Sequence, residues 1–434
     1  MSMPIRFWSI VICFVCQLPF PVQAADNLPF DIDPQWGGHL KLSGRSLDPQ
    51  RGSAFDDVGL DTKYDYFAEF RLNSKTILGD STYIEIHWEG LLGGGEARED
   101  GEALKELYPA LFHKGIVYSP NDDRRFFDMT AVVHEDDDTL RYHRLDRAMA
   151  VFSPSWGEVR LGRQAITWGH GFTFNPMDLF NPFAPTDLER DYKSGDDMAL
   201  VQVPFNGFDL EVISVFRRDP LTGDKGLDQN SLAAMLHFTV GDKNIDIMAA
   251  RHFEDLVFGA GAVGYLGQAA WRFDVTGTSL DRASRGRSSY LSAVANLDYS
   301  WVWLDKNWYG YIELYYNGLS DNDYQDQFTD AAISDRIDRG ELFALGRLYW
   351  SGQINLELHP LINLYLTSIV NLDDPSGIWL PRVVYDVSDD FRLTLQGAFN
   401  WGGSDTEYGG YDLPGYSFKH KSSDSILASL TWYF

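Results

Sequence analysis

The feature that most restricts this chain is a period-2 alternation of apolar and polar residues, recurring from about residue 36 to Phe434 and broken by connections that are alternately short and long. Such alternation puts successive side chains on opposite faces of a strand. It is carried by segments near 36–46, 64–73, 81–91, 139–153, 157–168, 197–204, 207–217, 230–240, 244–253, 256–263, 268–276, 288–301, 308–317, 341–358, 362–371, 377–387, 391–401 and 424–434. The clearest are Tyr64/Tyr66/Ala68/Phe70/Leu72, Leu291/Ala293/Ala295/Leu297/Tyr299/Trp301 and Phe391/Leu393/Leu395/Gly397/Phe399/Trp401. Segment 341–358 holds one apolar register from Leu342 to Leu358 and predicts a single long strand. Short turns at 74–80, 154–156, 204–206, 241–243, 264–267, 302–307, 359–361 and 388–390 carry turn formers such as Pro154, Asn206-Gly207 and Gly241-Asp242. Between them lie the connections 47–63, 92–138, 169–196, 218–229, 277–287, 318–340 and 402–423, with only 254–255 and 372–376 short. Sorting of this kind predicts an all-β fold, a transmembrane antiparallel up-and-down β-barrel of about 18 strands (16–18) with both ends on the side of the short turns. A soluble sandwich has no reason to sort its loops by length.

The final segment, Asp424–Phe434, alternates Ile426, Ala428, Leu430, Trp432 and Phe434 against Ser425, Leu427, Ser429, Thr431 and Tyr433. A last strand leaves an unpaired edge unless the sheet closes on its first strand. Trp432 and the terminal Phe434 resemble the C-terminal signal by which Gram-negative outer-membrane barrels engage the barrel assembly machinery.

At the other end Arg6, the apolar run Phe7–Val15 and the small-residue site Val22-Gln23-Ala24 read as a secretory signal peptide over 1–24, leaving a barrel over 25–434. The run is too short for a spanning helix. Both cysteines, Cys13 and Cys16, fall in the leader, so the mature chain carries no thiol into an oxidising periplasm and no metal site built on Cys.

Mean hydropathy is −0.26, a value that looks soluble because barrel strands hide apolar residues at every second position. Aromatic residues make up 15% of the chain, with 13 Trp, which suits interfacial girdles in outer-membrane lipid. The formal charge of −27 argues against nucleic acid as a partner. It fits acidic external loops, 92–138, 169–196, 318–340 and 402–423, facing lipopolysaccharide; the run Glu135–Asp138 offers oxygen ligands for divalent cations, although solvated loop charge explains most of it. A short helix is expected around Glu102–Leu111.

Residues 162–197 form an unusual connection. Pro176, Pro182 and Pro185 stiffen it, and Phe172, Phe174, Met177, Leu179, Phe180 and Phe183 need apolar cover. Folding into the lumen meets both demands. The series Arg163-Gln164, Trp168-Gly169 and two Asn-Pro steps resembles porin-like outer-membrane barrels of Gram-negative bacteria, a little-characterised group loosely similar to alginate-export-type barrels. That resemblance implies passage of a small-molecule solute across the outer membrane without identifying it. The predicted constriction comprises Asp178, Asp187, Glu189, Arg190, Phe174 and Phe180, with the carboxylates facing a basic wall.

If apolar positions face lipid, Glu69, Arg71, Glu85, Arg272, Glu313, Arg347, Arg382 and Arg392 line the pore. The inferred lumen is mixed in sign, departing from the Arg/Lys excess that polyanion export requires and favouring neutral or cationic solutes. Arg163 and Gln164 are adjacent, so one of them should face lipid unless a bulge re-aims it. His143, His170, His237 and His252 are scattered and match no catalytic spacing, so no enzyme, cofactor or metal is expected. The rival readings are an export or adhesion barrel and, further off, an outer-membrane hydrolase.

Overall fold

The computed structural model describes residues 32–109, 120–187, 190–321 and 323–434; the expected leader and Glu189 lie outside them. Strands β1 (Ile32–Asp48), β2 (Lys63–Leu78) and β3 (Thr82–Gly95) lead into helix α1 (Glu96–Leu107), then β4 (Thr130–Glu135), β5 (Thr139–Phe152) and β6 (Glu158–Gln164). Next come β7 (Asp196–Phe205), β8 (Phe208–Val215), β9 (Ser231–Val240), β10 (Lys243–His252), β11 (Asp255–Leu266), β12 (Ala269–Ser284), β13 (Arg287–Trp303) and β14 (Lys306–Asn317). Helices α2 (Tyr324–Thr329) and α3 (Ala331–Asp338) precede β15 (Leu348–His359), β16 (Ile362–Asn371), β17 (Ser376–Asp386) and β18 (Phe391–Trp401). A two-residue pair, β19 (Tyr411–Asp412) and β20 (Lys419–His420), precedes β21 (Asp424–Tyr433).

Every expected alternating segment is a strand of one sheet, which closes where β21 pairs with β18 on one side and with β1 on the other, from His39↔Tyr433 to Asp48↔Asp424. Closure removes the free edge and makes a barrel of 18 spanning strands; β4 is the extra member, paired only with the outer end of β5. On β21 the alternation becomes two environments. Ile426, Leu430 and Phe434 are 45%, 41% and 47% exposed, whereas Leu427, Ser429 and Thr431 are 2%, 6% and 6% exposed on the inner side. Aromatic rings gather at the short-turn end: Trp301 stacks on Trp308 at 6.1 Å, Phe205 on Phe208 at 4.8 Å and Phe391 on Trp432 at 6.3 Å. An outward apolar band bordered by such rings is the surface a bilayer requires. No described helix is long and apolar enough to cross a membrane.

Several local expectations change: β6 ends at Gln164 instead of 168, and the connection expected over 277–287 is strand apart from the turn at Arg285-Gly286. The strand expected over 341–358 begins only at Leu348, because Leu342 packs beside Leu280, Leu319 and Ile333 while Leu345 joins the Tyr324 cluster and donates its N–H to Glu407. Those apolar residues cover loops, not lipid. The helix expected around 102–111 spans Glu96–Leu107, starting where Gly95, at φ 136°, ends β3; residues 110–111 lie outside the described residues.

The Arg163–Gln164 problem is solved without a bulge. Arg163 shares the parity of exposed Leu161 and points outward, but residues 122–127 fold over it. Its guanidinium donates to Asp197 at 3.0 Å, to Asp122 at 2.9 Å and to the Phe127 carbonyl at 2.7 Å. Gln164 points inward toward the Met198 carbonyl.

At the long-loop end, Tyr324, Tyr411, Leu413 and Phe418 pack with Tyr108 and Tyr416, tying the external loops together. Asp330 caps α3 by accepting from the N–H groups of Ala332 and Ile333.

Candidate functional site

The connection between β6 and β7 enters the barrel and crosses it. Its first half meets the far wall. His170 donates through Nδ1 to Asp274 at 2.7 Å and through Nε2 to Asp246 at 3.1 Å, both carboxylates being inward-facing groups of β12 and β10. Burial alone lowers an imidazole's affinity for its proton, but these two carboxylates outweigh it and hold His170 up at about 9. The next turn docks on Glu313 of β14, whose carboxylate accepts from three successive backbone N–H groups, Phe172 at 2.6 Å, Thr173 at 3.0 Å and Phe174 at 2.9 Å. Asn296 donates both to Glu313 at 3.2 Å and to the His170 carbonyl at 3.0 Å. A buried carboxylate needs such donors, since none of its lone pairs can reach bulk water.

Apolar packing completes the docking. Phe174 stacks on Tyr315 at 4.5 Å, while Met177 and Phe180 insert into a cluster made by inward residues of β7–β11, including Met198, Leu200, Ile213, Met235 and Met248. Each fully buried side chain of this size contributes about 1.5–3 kcal/mol relative to exposure. One side of the lumen is therefore filled rather than open.

The second half of the loop returns to the opposite wall. Asp191 binds Lys41 of β1 at 2.7 Å, and Tyr192 lies between His39, at 5.7 Å between ring centroids, and the Arg71 guanidinium, 4.5 Å above its ring. Arg71 also donates to Asp146 at 2.6 Å and Glu89 at 3.3 Å, and Arg144 donates to Glu89 at 3.1 Å. The charges on this wall are thus interleaved and compensated.

The constriction residues named from the sequence divide into three groups. Phe174 and Phe180 are buried anchors against the wall. Asp178 does not reach the basic wall: it pairs with Lys193 of its own loop, and burial pushes its carboxyl up to about 6 against the pull of that lysine. Asp187 pairs with Arg190 at 2.6 Å, and both border an open chamber beside β1–β3 and β5. The group that bridges to the wall is Asp191, with Tyr192, and neither was singled out from the sequence.

Among the pore-lining candidates, Glu69, Arg71, Glu85, Arg272, Glu313, Arg382 and Arg392 occupy inward positions, opposite in parity to exposed apolar neighbours on their strands. Their partners are His39 for Glu69 at 3.1 Å, His87 for Glu85 at 2.9 Å, Asp298 for Arg272 at 2.5 Å and Asp386 for Arg392 at 2.7 Å. Arg382 lies 4.5 Å over the Tyr365 ring. Arg347 sits on the outer rim, ahead of β15 and 3.8 Å from Asp373. His39, Lys41 and Arg45, missed from the sequence, alternate with Leu40, Leu42 and Gly44, so the parity that exposed Glu69 and Arg71 also marks them. In the acidic run, Asp136 binds His134 at 2.7 Å, and no group of three or more His, Cys, Asp or Glu among the described residues is arranged to hold a metal.

Solved structures share this architecture. OccK11 (OpdR) of Pseudomonas aeruginosa superposes with a TM-score of 0.51 at 11% identity, covering 93% of this chain and 97% of that one. OccK9 (OpdG) of the same organism gives 0.50 at 12% identity, covering 93% and 98%. Both are outer-membrane porins. The fold is a porin fold. At this identity the likeness concerns architecture alone. No family model matches the sequence, and no curated protein matches it.

Proposed function

We propose that the protein is an outer-membrane channel for passive passage of small polar solutes, neutral or cationic, narrowed by the loop between β6 and β7. The observation that carries this reading is Glu313, which fixes three consecutive backbone N–H groups of that loop inside a closed barrel whose outer surface is apolar. A loop held that way costs buried charge and ordered backbone, and its evident use is to set what passes. Residues 1–24 act as the cleaved leader in this account, and β21 with Trp432 and Phe434 presents the assembly signal. The lipid belt meets outer-membrane lipid, and the acidic external loops face lipopolysaccharide and its divalent cations. Selectivity requires neither cofactor nor covalent chemistry.

Purified protein in a planar bilayer tests this. The expected result is stepwise ohmic current with weak ion selectivity that fades as salt rises, since screening limits the reach of loop charge to about 8 Å near physiological ionic strength. Correctly assembled barrels that pass no current, while binding cells or surfaces, overturn the channel reading in favour of adhesion.

A further inference from the structure

We propose that the chamber left open beside the loop is a binding site for neutral, ring-shaped polyhydroxyl solutes, that is, sugars; the inference rests on the channel reading and names its solute class. The chamber has two lobes that meet at Arg45, Asp187 and Leu427. The outer lobe, about 360 Å³, is lined by Phe343, Tyr408 and Tyr411 together with Asn400, Ser422 and Ser423. The inner lobe, about 440 Å³, carries Lys41, Glu69, Glu89 and Arg144. Both volumes fall in the range of roughly 300–1,000 Å³ typical of small-molecule sites.

The outer lobe offers rings and neutral polar groups but no charge ready for an ion. Its charged groups are already engaged: Glu407 by the Leu345 N–H at 2.7 Å, by Asn371 at 2.8 Å and by the Tyr349 hydroxyl, and, where the lobes meet, Asp187 by Arg190 at 2.6 Å and Arg45 by Asp65. Its imidazole, His420, has its proton affinity lowered by burial and stays neutral. Phe343, 42% exposed, lines the outer lobe and the cavity beside the docked loop, so an apolar ring is accessible where the two meet. A pyranose has an apolar C–H face to lie on such a ring, and a rim of hydroxyls that both donate and accept.

The inner lobe leads to the same class by a separate argument. Its cations are matched by carboxylates: Lys41 by Asp191, Arg45 by Asp65, Arg144 by Glu89 and Arg190 by Asp187. Among the described residues, an entering anion sheds water and finds each of these cations already paired, so its desolvation is poorly offset; an entering cation meets carboxylates engaged in the same pairs. A hydroxyl group can donate to the carboxylate and accept from the cation of an existing pair without breaking it. Interleaved pairs therefore favour neutral polyols over ions of either sign.

The test uses the full-length mature protein in a planar bilayer, with glucose, maltose, arginine and benzoate as probes. The expected result is concentration-dependent interruption of the ionic current by maltose and glucose, with arginine and benzoate weaker by about tenfold or more. Phe343→Ala weakens the sugar effect by about tenfold, as expected for losing a ring contact, and Ser422→Ala weakens it less. A change at exposed external Leu221 leaves it unaltered. Calorimetric titration of the solubilised protein with maltose reads binding even if the pore is shut. Interruption by benzoate or arginine with none by sugars, or sugar binding indifferent to Phe343→Ala and Ser422→Ala alike, overturns the proposal. A steady current untouched by sugars refutes the sugar site and leaves the channel standing; absence of any current refutes the channel itself.

Discussion

Replacing Glu313 by Gln isolates the step that holds the loop in the lumen. The substitution keeps shape but turns one of two acceptor oxygens into a donor, facing the N–H groups of Phe172, Thr173 and Phe174. Hydrogen bonds to a charged acceptor contribute about 1.5–3 kcal/mol each, and a buried N–H left without a partner costs about 1–3 kcal/mol. Losing the charge and stranding one donor therefore weakens docking by about 3 kcal/mol, while the Met177 and Phe180 cluster and His170 remain in place. At 1.4 kcal/mol per factor of ten, the undocked loop gains about two orders of magnitude in population. Single-channel recording should show frequent excursions to a larger conductance, and protease should cut within 169–187 faster than in the parent. Barrel assembly, read as heat-modifiable mobility, should be normal. A variant with parental conductance, noise and protease resistance refutes the idea that Glu313 holds the constriction.

The His170 latch should respond to alkali. Because its pKa stands at about 9 in the folded loop against 6.5 unperturbed, the latch contributes fully below about pH 6.5 and is lost as pH rises through 9, a change of about 3 kcal/mol. Conductance noise should increase above pH 9 in the parent and lose that dependence in His170→Asn; an identical profile in both counts against the latch. Arg163→Met leaves Asp197 facing Asp122 without their shared cation and should destabilise the barrel by about 3–5 kcal/mol, read by urea unfolding in detergent, with partial recovery on adding Asp197→Asn. Equal stability of parent and single variant contradicts that assignment. Deleting Phe434 removes the ring stacked on Phe70 and tilted against Trp432 next to the closing seam and should lower outer-membrane levels; undiminished heat-modifiable barrel argues against it.

The barrel was legible because lipid imposes one rule on every strand. Ile426 and Leu430 must face out whatever the rest of the chain does, so parity survives in the sequence and strand order follows from connection length. The rule lapses outside the bilayer. Leu342 continues a strand's alternation but serves a loop cluster, Leu345 on the other parity joins a second one, and Arg163 occupies an outward position because residues 122–127 cover it at the rim. Within the loop, composition showed that Phe174 and Phe180 needed cover. It could not show that Asp178 would turn back to Lys193 while Asp191 and Tyr192 reached the wall, since those pairings join groups brought together only by the path of the chain across the lumen.

The central claim is that this loop sets the passage. Exchanging residues 172–190 for a short Gly/Ser linker, in a barrel shown to be assembled by heat-modifiable mobility, and measuring conductance and the size limit for solutes in liposome swelling, tests it most directly. The account predicts larger conductance and entry of larger solutes, because an 18-stranded barrel without a docked loop encloses a wide aqueous channel. An assembled variant with unchanged conductance and an unchanged size limit contradicts it.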